Sequence, residues 1–256
     1  MDILQAVFLG IVEGVTEFLP ISSTGHLILT SRLLGIETSL FLKSFEISIQ
    51  LGAILAVVFL YWRRLFIDRE MLKRVCVAFV PTGIVGFLLY KVLKSFLLGS
   101  IPVVLWSLFL GGIVLILFEM RYKEKEHAIR TVSDMSYAQA FLIGLIQSLS
   151  IIPGVSRAGA TIVGGLLAGL DRRTIVEFSF LLAVPTMMAA TGYDLFKNGY
   201  TFSSGDFKAL AVGLVVSFLV AGVVIKSFIH FVQRYNFIVF GAYRILLALF
   251  FWFIFR

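Results

Sequence analysis

The 256-residue chain is 59% hydrophobic, carries a formal charge of +7 and holds one cysteine, with a mean hydropathy of +1.00. An ordinary soluble domain is nearer half apolar, so the composition excludes one and indicates a polytopic α-helical membrane protein forming a single domain, 1–256. The lone Cys76 excludes an internal disulfide and a cysteine-built metal site. The basic residues sit in short loops between apolar spans, which suits the positive-inside bias and anionic membrane lipids rather than nucleic acid.

In chain order, the opening MDILQAVFLG lacks the basic start of a signal peptide and is expected to be retained. It leads into EGVTEFLPISSTGH, Glu13 to His26, a polar island in an apolar segment. One charge near the bilayer centre costs roughly 2.5–3.5 kcal/mol on insertion scales, so several together are expected to do chemistry. The segment Ile3–Leu34 is two apolar pieces broken at Leu19-Pro20, and it reads as a re-entrant helix–turn–helix. Spans of ~17–25 residues are predicted at Phe45–Trp62, Leu72–Leu93 and Ile101–Phe118. A second broken segment, Tyr137–Leu170 with its break at Pro153-Gly154, precedes Ile175–Phe196, Phe207–Phe228 and Phe237–Phe255. The predicted fold is all-α and integral to the membrane, with six transmembrane helices and two re-entrant helix pairs.

Shifting the first broken segment by 134 residues places Gln5 on Gln139, Ala6 on Ala140, Gly10 on Gly144, Ser22 on Ser156 and Gly35 on Gly169. Glu13 falls on Gln147 and Ser23 on Arg157. A re-entrant pair plus three spans is an odd number of crossings. The halves, about 1–120 and 135–256, are therefore expected to form an inverted-topology repeat, with a site near the midplane. The loops after the first, third and fifth spans carry thirteen Lys and Arg, Lys125 among them, against seven, Arg256 among them, on the side of both termini. That bias places the termini outside the cytoplasm.

Glu13 and Glu17 share a helical face at i,i+4. They suit a divalent-cation site, an acid/base pair or a proton relay, or plain solvation beside Pro20. Ser22, Ser23 and Thr24 stand where the returning helix starts; capping needs one hydroxyl, and a helix N-terminus with three suits phosphate. The second copy, PGVSRAGAT from Pro153 to Thr161, repeats the hydroxyls with Ser156 and Thr161 and adds Arg157. That Arg suits bidentate phosphate binding and equally a salt bridge to Glu13 or Glu17. His26, one turn into its helix, is either a core residue or a proton carrier. Two such N-termini approaching from opposite faces would make a pocket for phosphoryl transfer or hydrolysis. Glu46 with Ser48 and Gln50, and Glu177 with Ser179, open equivalent spans. Arg244 is assigned to snorkelling near a helix end, and His127 and His230 to loops.

Through EGVTEFLPISSTGH together with PGVSRAGAT, the whole chain resembles the BacA/UppP family, bacterial undecaprenyl-diphosphatases also known as bacitracin-resistance proteins. The resemblance implies removal of one phosphate from undecaprenyl diphosphate, a polyprenyl diphosphate lipid, so that the carrier is reused for peptidoglycan. It implies a multi-pass protein of the bacterial plasma membrane, an interdigitated inverted repeat open to the outer face, and a homodimer. For residues it implies Glu13 and Glu17 as the acidic motif tied to a divalent cation (Mg²⁺ or Ca²⁺), Ser23 as nucleophile with Ser22 and Thr24 beside it, and His26 as the motif histidine. It further implies Arg157, Ser156 and Thr161 as the phosphate-binding motif. Ala158 departs from the Ser that commonly follows the Arg, which removes one hydroxyl. The type 2 phosphatidic acid phosphatase superfamily needs a His a few residues after its Ser-Arg; here the next is His230, which rejects it. A two-step mechanism fits: Ser23 attacks, Arg157 and the helix N-termini hold the phosphates, and His26 or Glu17 manages the proton. Attack by water activated by the carboxylates stays open. The rival class is a flippase or transporter for the monophosphate lipid, suggested by the repeat; a membrane protein with no site is the plainest alternative.

Overall fold

The computed structural model describes residues 1–123 and 128–255; Lys125, His127 and Arg256 lie outside the described residues. The chain is helical throughout, apart from an isolated bridge between Ile129 and Leu170. The helices are α1 (Ile3–Thr16), α2 (Ser23–Leu33), α3 (Leu40–Ile67), α4 (Arg69–Val92), α5 (Ile101–Arg121), α6 (Tyr137–Gln147), α7 (Arg157–Leu167), α8 (Arg172–Asn198), α9 (Ser204–Val232) and α10 (Ile238–Ile254). A π-helical turn, Leu93–Leu97, extends α4.

Five helical stretches are long and apolar enough to cross a membrane: Leu40–Ile67, Arg69–Leu97, Ile101–Arg121, Arg172–Thr201 and Ser204–Val232. The sixth expected span corresponds to α10, a shorter apolar helix of 17 residues. Large apolar side chains such as Phe59, Phe87, Leu88, Leu219 and Phe253 are exposed, a surface that suits hydrocarbon and not water. His230 lies in the last turn of α9, not in a loop as expected, because the apolar pattern of α9 continues past it to Val232.

The two broken segments fold as helix pairs, α1–α2 and α6–α7. At 1.5 Å per residue, helices of 14, 11, 11 and 11 residues reach about 16–21 Å, short of the ~30 Å hydrocarbon core. The pairs share local chemistry at the 134-residue shift. Asp2 with Gln5 and Ser136 with Gln139 both form capping boxes, which satisfy the first orphan N–H groups of each pair. Ser22 (φ 71°) and Ser156 (φ 80°) are the only non-glycine residues with positive φ among the described residues. Each caps the returning helix by accepting from the N–H three residues on, Gly25 at 3.3 Å and Gly159 at 3.0 Å. Gly35 and Gly169 end the two pairs, both in left-handed conformation.

Packing is crosswise. α1 lies against α9, and its counterpart α6 lies against α4; α3 packs on both α8 and α9. Close approach needs glycine at matched places. A Cβ on Gly10 would meet the Gly213 carbonyl at 2.9 Å, and one on Gly144 would meet the Ala78 carbonyl and Cα. Gly144→Ala is expected to destabilise the protein by about 1–3 kcal/mol, as overpacking does. Gly86→Ala, whose Cβ would touch nothing, is expected to be neutral. Thermal unfolding of the purified variants in one detergent checks the contrast.

Candidate active site

The centre of the site joins the two helix pairs. Glu17, the C-cap of α1, accepts a hydrogen bond from the Ser23 hydroxyl through Oε2. Its Oε1 accepts from Arg157 Nη2 at 2.7 Å. Arg157 is the first residue of α7; its Nη1 donates to the Ser179 carbonyl at 2.7 Å, while its buried Nε has no partner. The salt bridge that the sequence offered for Arg157 is thus present, and the side chain keeps a donor to spare.

These three residues stand at the inner end of a cavity of about 730 Å³, also bordered by Ser22, Thr24 and Ser156. That volume is in the range of ligand pockets. Its walls are α4 from Phe79 to Tyr90, a stretch that contains Pro81, and α8 from Thr186 to Tyr193, just past Pro185. The lining is mostly apolar away from the ion pair, with small residues at Gly83, Gly86, Ala189 and Ala190. A charged, hydroxyl-lined end and an apolar remainder match an anionic headgroup carried on an apolar tail.

Of the remaining expected site residues, Glu13, His26 and Thr161 lie off the cavity. Glu13 is 0% exposed, one turn before Glu17, and neither carboxylate oxygen has a hydrogen-bond partner. His26 Nδ1 is 2.8 Å from the Ser22 carbonyl, and Nε2 is 2.8 Å from the Tyr243 hydroxyl. A carbonyl only accepts, so Nδ1 carries a proton, and in the neutral ring Nε2 accepts from Tyr243. His26 therefore braces the positive-φ Ser22 and makes no hydrogen bond to Ser23. Thr161 is buried between Gln147 Oε1 at 3.1 Å and the Arg157 carbonyl at 2.8 Å. Thr24 accepts from Gln50 Nε2 at 3.3 Å. Among the described residues, no group of three or more His, Cys, Asp or Glu side chains is placed to hold a metal.

Arg244 corrects the sequence reading. It is 2% exposed and does not snorkel. Its guanidinium donates to five carbonyls: Leu108 at 3.4 Å, Pro20 at 3.3 Å, Val155 at 3.0 Å, Ser107 at 3.0 Å and Gly154 at 2.9 Å. It thereby ties the first break to the second. The signal was in the sequence, because Arg244 lies well inside the run Phe237–Phe255, too far from an end for its charge to reach water easily.

A helical membrane protein whose two chain breaks meet over a buried Glu–Arg pair belongs to the class with an intramembrane site for an anionic group. The family model described as "Bacitracin resistance protein BacA" matches residues 6–250, and the chain belongs to that family. Relatives named "Undecaprenyl-diphosphatase" include one from Aquifex aeolicus, 56% identical over 96% of this chain and 95% of its own. One from Sulfurihydrogenibium is 55% identical over 97% and 98%, and one from Wolinella succinogenes 54% identical over 99% and 98%.

Arg244→Lys keeps a charge but cannot span five acceptors. It is expected to raise amide hydrogen exchange at both breaks, Leu19–Ser23 and Pro153–Arg157, relative to wild type. Mass spectrometry of exchanged, detergent-solubilised protein reads this, and unchanged protection at either break would refute the double clamp.

Proposed function

We propose that the chain is an undecaprenyl-diphosphatase, releasing inorganic phosphate from a polyprenyl diphosphate and leaving the monophosphate lipid. The observation that carries this reading is the Ser23–Glu17–Arg157 contact at the polar end of an otherwise apolar cavity, in a chain of this family. The diphosphate lies against Ser23, Arg157 and the N-termini of α2 and α7, and the polyprenyl tail runs between α4 and α8.

Glu17 accepts the Ser23 proton as Ser23 Oγ attacks the terminal phosphorus. The bond from that phosphorus to the bridging oxygen breaks, and the lipid monophosphate leaves with the electron pair, its charge held by Arg157. Water then attacks the phosphoserine, the bond to Ser23 Oγ breaks, and Ser23 regains a proton as phosphate departs. His26 acts as a positioning residue through the Ser22 carbonyl. A divalent cation, Mg²⁺ or Ca²⁺, suits the unpartnered oxygens of Glu13 together with Glu17, since such ions take few carboxylates and complete their shell with phosphate oxygens and water. When bound there it would neutralise charge on the diphosphate.

The matched capping boxes, positive-φ serines and crosswise packing support the inverted repeat, with α10 as its sixth span. The cavity reaches Leu93, Leu98 and Tyr193, at the end of the molecule with fewer basic loop residues. This supports a site opening to the outer face of the plasma membrane. A homodimer completes the proposal.

Purified protein is expected to release phosphate from undecaprenyl diphosphate, with loss of activity on chelation and recovery on adding Mg²⁺ or Ca²⁺. Folded Glu17→Gln should lose roughly 10²–10⁴-fold in turnover, the range for removing a general base. Folded Ser23→Ala should trap no phosphoserine and turn over far more slowly; near-wild-type turnover would shift the attack to water. A wild-type protein that moves the monophosphate lipid across liposomes and releases no phosphate would replace this reading by transport.

A further inference from the structure

A second cavity, of about 290 Å³, lies where α2 ends and α3 and α5 begin, apart from the residues of the first. Its walls carry opposite charges that form no ion pair with each other among the described residues. Glu46 borders it and is 3% exposed. Its Oε1 accepts from the Ser31 hydroxyl at 3.0 Å, and Glu46 has no ion pair or further hydrogen bond among the described residues. Facing it are two cations. Arg32 is exposed and makes no hydrogen bond or ion pair among the described residues. Lys43 uses one donor on the Lys94 carbonyl at 2.9 Å, and an ammonium has three.

The start of α5 adds to the positive side. Ser100, its N-cap, makes no side-chain cap, and Pro102 follows at once. The first-turn N–H groups of this 21-residue helix therefore lack the usual side-chain acceptor, and the positive end of the helix dipole borders the cavity through Gly99, Ser100 and Ile101. A simple anion here would meet the Glu46 carboxylate. A simple cation would meet Arg32, Lys43 and the helix end. Only a ligand bearing both charges satisfies every group.

We propose that this cavity binds the zwitterionic headgroup of a phosphatidylethanolamine-type lipid. The phosphate lies on Arg32, Lys43 and the α5 N-terminus, and the ammonium on Glu46. A lipid rather than a free solute is assigned because the cavity sits at the ends of apolar spanning helices, beside the exposed Leu33 and Leu40. Occupancy would also be felt by the first cavity. Lys43 binds the Lys94 carbonyl, the Lys94 ammonium pairs with Asp194 of α8, and Asp194 accepts from Tyr90 on the first cavity's wall.

Native mass spectrometry of the full-length protein in detergent tests this with phosphatidylethanolamine and phosphatidylglycerol of identical acyl chains, and with O-phosphoethanolamine. Wild type is expected to bind the ethanolamine lipid more tightly than the glycerol lipid. Glu46→Gln, which keeps an acceptor for Ser31, should weaken the ethanolamine lipid about tenfold and, by removing the carboxylate that opposes a simple anion, should not weaken the glycerol lipid. Arg32→Ala, at an exposed position, should weaken both; melting curves confirm that both variants are folded. Equal or tighter binding of phosphatidylglycerol by wild type would overturn the proposal, as would a preference surviving Glu46→Gln. Competition by O-phosphoethanolamine at matched concentration would overturn the assignment to a lipid.

Discussion

Backbone carbonyls freed by a chain break deep in an apolar protein need donors, since each one left unsatisfied in hydrocarbon costs several kcal/mol. In this molecule one guanidinium meets that need at both breaks. Arg244 has five N–H groups and five carbonyl partners, drawn from Pro20, Gly154, Val155, Ser107 and Leu108. Its burial would be costly if any donor were idle. With all five used, it fixes the distance between two turns that otherwise share no secondary structure. Gly154 shows how tight this junction is: it has φ 95°, and a Cβ there would meet Ser107 Cβ at 2.7 Å and the Val104 carbonyl at 2.8 Å. Arg244 thus joins α10, α5 and both breaks through hydrogen bonds, and Ser23 and Arg157 follow directly on the two breaks.

On that frame, the Glu17–Arg157 pair works because it is incomplete. A buried ion pair barely repays its desolvation unless the other lone pairs and N–H groups are also satisfied. Here each Glu17 oxygen has a partner, Ser23 or Arg157, whereas Arg157 keeps an idle Nε and Glu13 keeps two idle oxygens. The unsatisfied groups are of both signs and adjoin the pair. An incoming diphosphate with a cation would satisfy them together, which a fully compensated network could not exploit.

The sequence exposed the chemistry better than the geometry. Glu17, Ser23 and Arg157 were visible as polar groups in apolar runs, and the breaks as Pro/Gly points, because burying such groups is costly enough to leave a mark. The pairing of Arg157 with Glu17, 140 positions apart, was one of the two salt bridges the sequence offered for Arg157, but other partners left no mark. Nothing local indicates that His26 faces Tyr243, 217 residues on, or that Thr161 turns toward Gln147 and away from the cavity. Arg244 was legible as an intramembrane charge, but its acceptors are carbonyls, which have no sequence signature. Proximity to a chain end was therefore mistaken for proximity to water. His230 was misplaced for a related reason: a polar residue one turn from a helix end looks like the loop beyond it.

The two helix pairs share backbone devices and differ in their buried polar groups. The capping serines, the terminal glycines and the crosswise glycine contacts are kept in both copies, because they are demands of the backbone and of packing. The equivalent buried position one turn before each break is not kept. In the second copy Gln147 is satisfied, donating to Thr82 at 2.9 Å and accepting from Thr161 at 3.1 Å. In the first, Glu13 occupies the same place with no hydrogen bond at all. A neutral amide closes its network internally; the Glu13 side chain, of nearly the same shape, does not. With Arg157 standing where the first copy has Ser23, an acid and a cation are placed on opposite sides of one pseudo-symmetric junction.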